Sequence, residues 1–261
     1  MTGDHAATEG RAGQPMPGDM RGTVTLVTGA GSGLGEATAR AFADAGGAVA
    51  CLDRNQEAAE RVCNSLMSRG ANAMAIGGDV SDDSFVFGAV DAIVGRFGRL
   101  DVAVNCAAID HTVSVSDMTV EQWDQVIAVN LRGPFLISKA AFPVMAGQGS
   151  GHIVNIASTA ATRAWANAAA YHASKWGLVG FGRGLGVEGR PLGIRVTTVI
   201  PGGMRTHFFD RFVEQGIPMP QEENLQDPAN VAKVILFAVQ MPPESALQEV
   251  IVTPLTETSW P

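Results

Sequence analysis

From Thr23 onward, short apolar runs alternate with longer stretches in which apolar and polar residues mix at helical spacing. Seven runs read as strands: 24–28, 48–53, 71–76, 102–105, 153–156, 194–199 and 250–252. The first six are near-continuously apolar rather than alternating, the pattern of strands covered on both faces. Helix-like segments lie near 34–45, 55–69, 82–97, 119–146 and 171–189, and a further helix opens near Asp227-Pro228. This strand–helix alternation predicts an α/β fold: a doubly wound parallel sheet of about seven strands, flanked by helices on both faces. No linker composition follows residue 22 and no solenoid period is visible, so residues 22–261 read as one domain. Residues 1–21 contain no Val, Ile, Leu or aromatic residue and read as a flexible tail. The terminal Ser259-Trp260-Pro261 is a candidate for packing against a neighbour.

Composition narrows the function. The chain has 261 residues, of which 46% are hydrophobic, enough for one sizeable core. Its 18 basic and 26 acidic residues leave a net charge of −8, which argues against a nucleic-acid partner held by phosphate contacts. No apolar run is long enough to span a bilayer and no signal-peptide core is present, so neither a membrane partner nor export is expected. Cys51, Cys63 and Cys106 have no zinc or redox spacing and read as reduced thiols of a cytoplasmic protein.

The first strand runs straight into Thr28-Gly29-Ala30-Gly31-Ser32-Gly33-Leu34-Gly35, ahead of the first helix. Glycines serve where backbone turns sharply and approaches a ligand. A helix N-terminus adds unpaired N–H groups and a positive dipole, which suit a pyrophosphate. Asp53 ends the second strand, where a carboxylate accepts hydrogen bonds from ribose hydroxyls and repels a 2′-phosphate, favouring NAD. Arg54 beside it keeps NADP as the alternative, and a helix-capping role is the plain alternative for Asp53.

The one tyrosine, Tyr171, stands four residues before one of only three lysines, in Tyr171-His172-Ala173-Ser174-Lys175. On a helix these two share a face. A free phenol titrates near pH ~10, and a neighbouring ammonium favours the phenolate, bringing the group toward acid/base use. Ser158, just past a strand end, can polarise a carbonyl oxygen or orient an alcohol; alone it reads as a turn residue. Asn130 sits in a helical run where Asn is mildly unfavourable, the mark of a functional site or of one buried structural amide.

Across about residues 22–252 the chain resembles the short-chain dehydrogenase/reductase family, on the Thr28–Gly35 turn, Asp79-Val80, Asn105, Asn130, Ser158, Tyr171, Lys175 and Pro201-Gly202, in order and spacing. The resemblance implies a Rossmann-type fold, a nicotinamide cofactor and a homotetramer or dimer. It assigns Tyr171 as general acid/base, Lys175 to the nicotinamide ribose, Ser158 to the substrate oxygen and Asn130 to a water of the proton relay. Gly29, Gly31, Ser32, Gly33, Leu34, Gly35, Asp53, Arg54, Asp79, Val80, Asn105, Ala107, Tyr171, Lys175, Pro201, Gly202 and Thr206 form the expected cofactor set. Two departures stand out. The family's Asn-Asn-Ala-Gly reads Asn105-Cys106-Ala107-Ala108, and its Val-Asp-Gly-Gly near the C-terminus reads Val252-Thr253-Pro254, so the last turn must differ.

For the substrate, Asp110, His111, Trp165, Asn167, His207 and Phe208 are the candidate wall residues. Residues 203–226 read equally as a lid or as a short core helix. The mixture of polar and aromatic groups points to a hydroxylated or ring-shaped secondary alcohol. His111 and His207 lack ligand spacing, so no metal is assigned. The glycines at 180, 182, 184, 186 and 189 read either as a close approach to a second helix, across a subunit boundary, or as an irregular segment. The expected activity is an NAD(H)-dependent interconversion of a small-molecule secondary alcohol and its ketone. An NADP(H) ketoreductase, a non-catalytic dinucleotide-sensing regulator and, further off, a sugar-nucleotide epimerase are the alternatives.

Overall fold

The computed structural model describes residues 19–257 apart from 215 and 218. The expected tail lies outside these residues up to position 18. Its last residues belong to the fold: Met20 is buried and its N–H donates to the Ala45 carbonyl at 2.8 Å. The expectation for residues 259–261 lies outside the described residues.

The chain alternates as its pattern predicts: β1 (Val24–Thr28), α1 (Gly33–Asp44), β2 (Ala48–Asp53), α2 (Gln56–Met67), β3 (Ala73–Gly77), α3 (Asp83–Phe97) and β4 (Val102–Asn105). Then come α4 (Val120–Ile127), α5 (Gly133–Gln148), β5 (Gly151–Ile156), α6 (Ala169–Gly189), β6 (Ile194–Pro201), α7 (Asp210–Glu214), α8 (Pro228–Gln240) and β7 (Glu249–Val252). The seven strands form one sheet in the order β3-β2-β1-β4-β5-β6-β7, and every pairing is parallel. This is a Rossmann-type sheet whose winding reverses between β1 and β4, where ligands bind beyond the strands' carboxyl ends.

Alternate residues of the apolar strands serve different cores. Val27, Val49, Cys51, Val104, Val154 and Ile156 pack against α1, α2 and α8, around Phe42, Leu66 and Ile235. Leu26, Ala50, Leu52, Ala103 and Ile153 point the other way, onto α3 and α5, around Ile93, Ile137 and Met145. The continuous apolarity of the strands is therefore two interleaved faces, each covered.

The 119–146 segment, read as one helix, is divided. A π-helical turn at Ala128–Arg132 separates α4 from α5, and Pro134 lies at the start of α5. Asn130 sits in that turn. The glycine-bearing segment is the reverse case: α6 is one uninterrupted 21-residue helix. Residues 203–226 are not one core helix. They hold two 3₁₀ turns and the five-residue α7, anchored by a bridge between Met204 and Gln226.

Candidate active site

A cavity of about 850 Å³ opens where the strands end. Its first half is built on the glycine turn. Gly29 (φ +66°) and Gly33 (φ +54°) take the left-handed backbone that glycine allows. A Cβ at Gly29 would stand 2.9 Å from the Ala107 Cα, so the turn lies hard against the exit of β4. Thr28 fixes that contact: its hydroxyl oxygen accepts the N–H groups of Cys106 and Ala107, each at 3.1 Å. Ser32 precedes α1 in extended backbone and its side chain makes no cap bond, which leaves the first-turn N–H groups of α1 for an anion. Ser32, Gly33, Leu34 and Gly35 line the cavity; Gly31 does not. The Gly31 N–H donates to Asp53 Oδ2 at 2.9 Å and its carbonyl accepts from Arg61 at 2.6 Å.

Asp53, Arg54, Asp79, Val80, Ala107, Pro201, Gly202 and Thr206 also line the cavity. Asp53 Oδ1 accepts the Asn55 N–H at 2.8 Å, while Asp79 accepts from the Ser81 N–H and hydroxyl at 2.8 and 2.7 Å. Asn105 is buried behind the wall and donates to Asn155 Oδ1 at 2.9 Å, tying β4 to β5. Thr206 reaches over the glycine turn: its methyl would lie 3.2 Å from a Cβ at Gly33. Gly202 is covered by the departing C-terminal turn. Its N–H donates to the Val252 carbonyl at 2.9 Å, and a Cβ there would stand 2.9 Å from the Pro254 Cδ.

The second half holds the proton-transfer candidates. Tyr171 and Lys175 lie one turn apart on α6, both buried, with the Lys175 Nζ 5.5 Å from the tyrosine ring centre. Lys175 donates to the Ile156 carbonyl at 2.8 Å. Burial lowers its pKa to about 8, while the nearby Cys106 works in the opposite direction. Burial likewise pushes the Cys106 thiol up to about 12, so it is not a thiolate nucleophile. Ser158 caps a 3₁₀ turn at Thr159–Ala161, accepting the Ala160 N–H at 3.1 Å, which leaves its own O–H to donate. Ser158, Tyr171 and Lys175 line the same cavity as the glycine turn. Asn130 is buried behind it. Its Oδ1 accepts the Ile109 N–H at 2.8 Å, and its Nδ2 donates to the Ile109 carbonyl at 2.8 Å and to Ser174 Oγ at 3.2 Å. Ser174 in turn donates to the Tyr171 carbonyl at 2.8 Å. The Asn130 side chain thus holds the β4–α4 connection to the tyrosine's helix.

Among the substrate candidates, Asp110, Trp165, Asn167, His207 and Phe208 line the cavity. His111 does not; its Nε2 is 2.8 Å from Gln125 Oε1. Asn167 has φ +63°, which Asn tolerates better than most residues, and it stands just before the start of α6. The Phe208 ring lies 5.5 Å from that of Tyr171 and leads a chain of edge contacts through Phe209 to Phe212. Arg163 and Glu257 also line the cavity and were not picked out from the sequence. Ninety-four positions separate them, so no spacing signal joins them.

The family profile described as short chain dehydrogenase matches residues 23–216. The chain belongs to the short-chain dehydrogenase family. It is 41% identical over 181 residues to the D-threitol dehydrogenase of Mycolicibacterium smegmatis, covering 69% of each chain. It is 42% identical over 199 residues to the short chain dehydrogenase/reductase dpchG of Colletotrichum higginsianum, covering 75% of this chain and 74% of that one. Among solved structures, a metagenomic short-chain oxidoreductase in complex with NADP superposes with a TM-score of 0.80 at 30% identity, over 91% of this chain and 99% of the other. As a short-chain dehydrogenase the protein is an oxidoreductase that binds a nicotinamide dinucleotide. The residues present fit that cofactor. Glycines keep the turn against β4 free of Cβ atoms, and uncapped N–H groups and a carboxylate border the same cavity. Among the described residues no cluster of His, Cys, Asp and Glu could hold a metal ion, and no helix is long and apolar enough to cross a membrane.

Proposed function

We propose that this short-chain dehydrogenase interconverts a secondary alcohol and its ketone with NAD(H). The observation that carries the reading is one cavity whose wall holds both the glycine turn and the Ser158, Tyr171 and Lys175 side chains. When bound, the nicotinamide supplies the hydride acceptor or donor. Tyr171 takes the hydroxyl proton during oxidation and returns it during reduction. The Lys175 ammonium stabilises the phenolate that forms. Ser158 donates its O–H to the substrate oxygen. Asn130 acts indirectly, by fixing the Tyr171 turn through Ser174.

Asp53 supports NAD as the preferred cofactor, since a carboxylate ending β2 on the cavity wall accepts hydrogen bonds from ribose hydroxyls and repels a 2′-phosphate. One observation favours NADP as the second reading: Arg54 lines the cavity and makes no ion pair among the described residues. The polar wall residues, and the D-threitol dehydrogenase among the relatives, support a hydroxylated substrate. The exposed Phe135, Trp176 and Val187 on α5 and α6 support a homo-oligomer.

The reading is tested by absorbance at 340 nm with NAD and NADP against a panel of secondary alcohols, for wild type and Tyr171→Phe. Loss of the phenol is expected to lower kcat by roughly 10²–10⁴-fold with cofactor binding retained. Equal turnover by the two proteins would rule the mechanism out.

A further inference from the structure

His172 follows Tyr171 on α6, yet it does not line the cavity; its ring faces the β5–α6 connection, residues 157–168. Its Nδ1 is 2.8 Å from the Ala160 carbonyl oxygen. Its Nε2 takes the Trp165 N–H at 3.1 Å and stands 3.3 Å from the Trp165 carbonyl oxygen. A carbonyl only accepts, so the ring proton is on Nδ1, and Nε2 keeps the lone pair that the Trp165 N–H needs. The two contacts select the same neutral tautomer. The Trp165 side chain closes over the imidazole, with ring centres 4.5 Å apart and planes inclined at 69°. Trp165 lines the cavity.

Ala160 carries the link further. Its carbonyl goes to His172, and its N–H donates to Ser158 Oγ at 3.1 Å. The residue is fully buried, where a backbone group that loses its partner is costly. A single residue therefore joins the Ser158 hydroxyl to the residue after Tyr171. The imidazole is flat and stiff, with its two nitrogens at a fixed separation. It bridges both limbs of a connection whose regular structure is one 3₁₀ turn. Orientation of reacting groups is where small displacements cost most: a shift of about 1 Å can cost on the order of a hundredfold in rate. We propose that His172 is a positioning residue of the reaction: its Nδ1–H tautomer ties the Ser158 turn to the tyrosine's own helix, and so sets the Ser158 hydroxyl against the Tyr171 phenol. The proposal rests on the alcohol–ketone reading above and adds to it a residue outside the cavity.

The test compares wild type with His172→Asn and His172→Phe in the full chain. The asparagine amide can donate to the Ala160 carbonyl from the place of Nδ1, whereas phenylalanine keeps a ring beside Trp165 and donates nothing. With the alcohol that wild type oxidises best, His172→Phe is expected to lower kcat by roughly tenfold to a hundredfold, counted per cofactor-binding site. Its affinity for the cofactor, followed by NADH or NADPH fluorescence, should stay within about twofold of wild type. His172→Asn should recover kcat to within about threefold. A merely structural role would lower the number of binding sites and leave kcat per site unchanged, and that result overturns the proposal. Equal losses of kcat in the two variants overturn it as well. Imidazole ¹⁵N shifts of the cofactor-loaded protein, taken at about pH 8 where an ordinary histidine is neutral, give a readout independent of turnover. The signal that His172→Asn removes should report a proton on Nδ1; a proton on Nε2 in its place would refute the link to Ala160. If wild type turned over no alcohol or ketone, the alcohol–ketone reading would fall, and the ¹⁵N shifts would still decide whether His172 holds Ala160.

Discussion

Asp53 holds two neighbours at once, the Gly31 N–H through one oxygen and the Asn55 N–H through the other. The cap of α2 is Asn55, whose Oδ1 accepts the Ala58 N–H, so Asp53 is not the helix cap; it orders the approach to α2 and the glycine turn together, which leaves its proposed cofactor role intact. Removing its charge while keeping its shape separates the two roles. Asp53→Asn is expected to keep the fold and to move the ratio of kcat/KM for NAD over NADP toward NADP by roughly tenfold, with Arg54 left to face the 2′-phosphate. An unchanged ratio in steady-state kinetics would show that Asp53 does not select the cofactor. At this scale the sequence is legible where partners are near in the chain. Tyr171 and Lys175 announce themselves through a four-residue offset. Asn130 stood out as a local misfit, and its contacts explain why: an amide donates to and accepts from one backbone residue, Ile109. Arg163 and Glu257 carry no such mark, because only the closing of the sheet by β7 brings them together.

Helix α6 shows what element-level reading leaves open. Five glycines in one stretch suggest either an irregular segment or a close approach to another helix. The structure gives a continuous helix, which sets the irregular reading aside, and within the chain Gly182 approaches the sheet. A Cβ on Gly182 would lie 2.6 Å from Thr198 Oγ1 of β6, whereas one on Gly184 would meet nothing within 4 Å. Two substitutions in the same helix are therefore expected to have opposite signs. Gly182→Ala should destabilise by roughly 1–3 kcal/mol through overpacking against β6. Gly184→Ala should stabilise by up to about 1 kcal/mol, since alanine is the better helix former and the space is open. Urea unfolding of the two variants checks this; equal shifts of the same sign would contradict the packing account. The divided α4–α5 segment was hidden for a related reason. Apolar periodicity runs through the π turn almost unbroken, and the added residue per turn is a hydrogen-bond detail that spacing does not register.

For the whole molecule, the apolar runs and the helices between them were enough to read a parallel sheet covered on both faces, because such strands need no polar side. They did not reveal how polar groups are carried inside it. His152 of β5 is buried. Thr197 donates its hydroxyl to the Leu247 carbonyl at 2.6 Å, so it accepts from the His152 Nε2–H at 2.7 Å, and Nδ1 has no partner among the described residues. The ring is therefore held neutral. Burial, seconded by the Arg195 charge, lowers its pKa to about 3. Arg195 does not move away, since it donates to the Val239 and Met241 carbonyls at the end of α8. In the unfolded chain the same ring titrates near pH ~6.5. Between these values the unfolded state binds a proton that the folded state refuses. Stability should be level above about pH 6.5 and fall as pH drops toward 3, by up to roughly 1.4 kcal/mol per pH unit from this group alone. His152→Gln keeps an N–H donor and cannot titrate, so its unfolding free energy, measured in urea from pH 4 to 8, should fall less steeply on the acid side than that of wild type. Parallel acid limbs would show that the acid sensitivity of the sheet lies elsewhere. The same titration leaves the proposed proton-transfer groups untouched, because His152 sits in the sheet interior and does not line the cavity that holds them. His152→Gln should therefore leave the pH profile of activity per folded molecule as it is in wild type while changing the folded fraction, which separates this loss from any titration in the cavity.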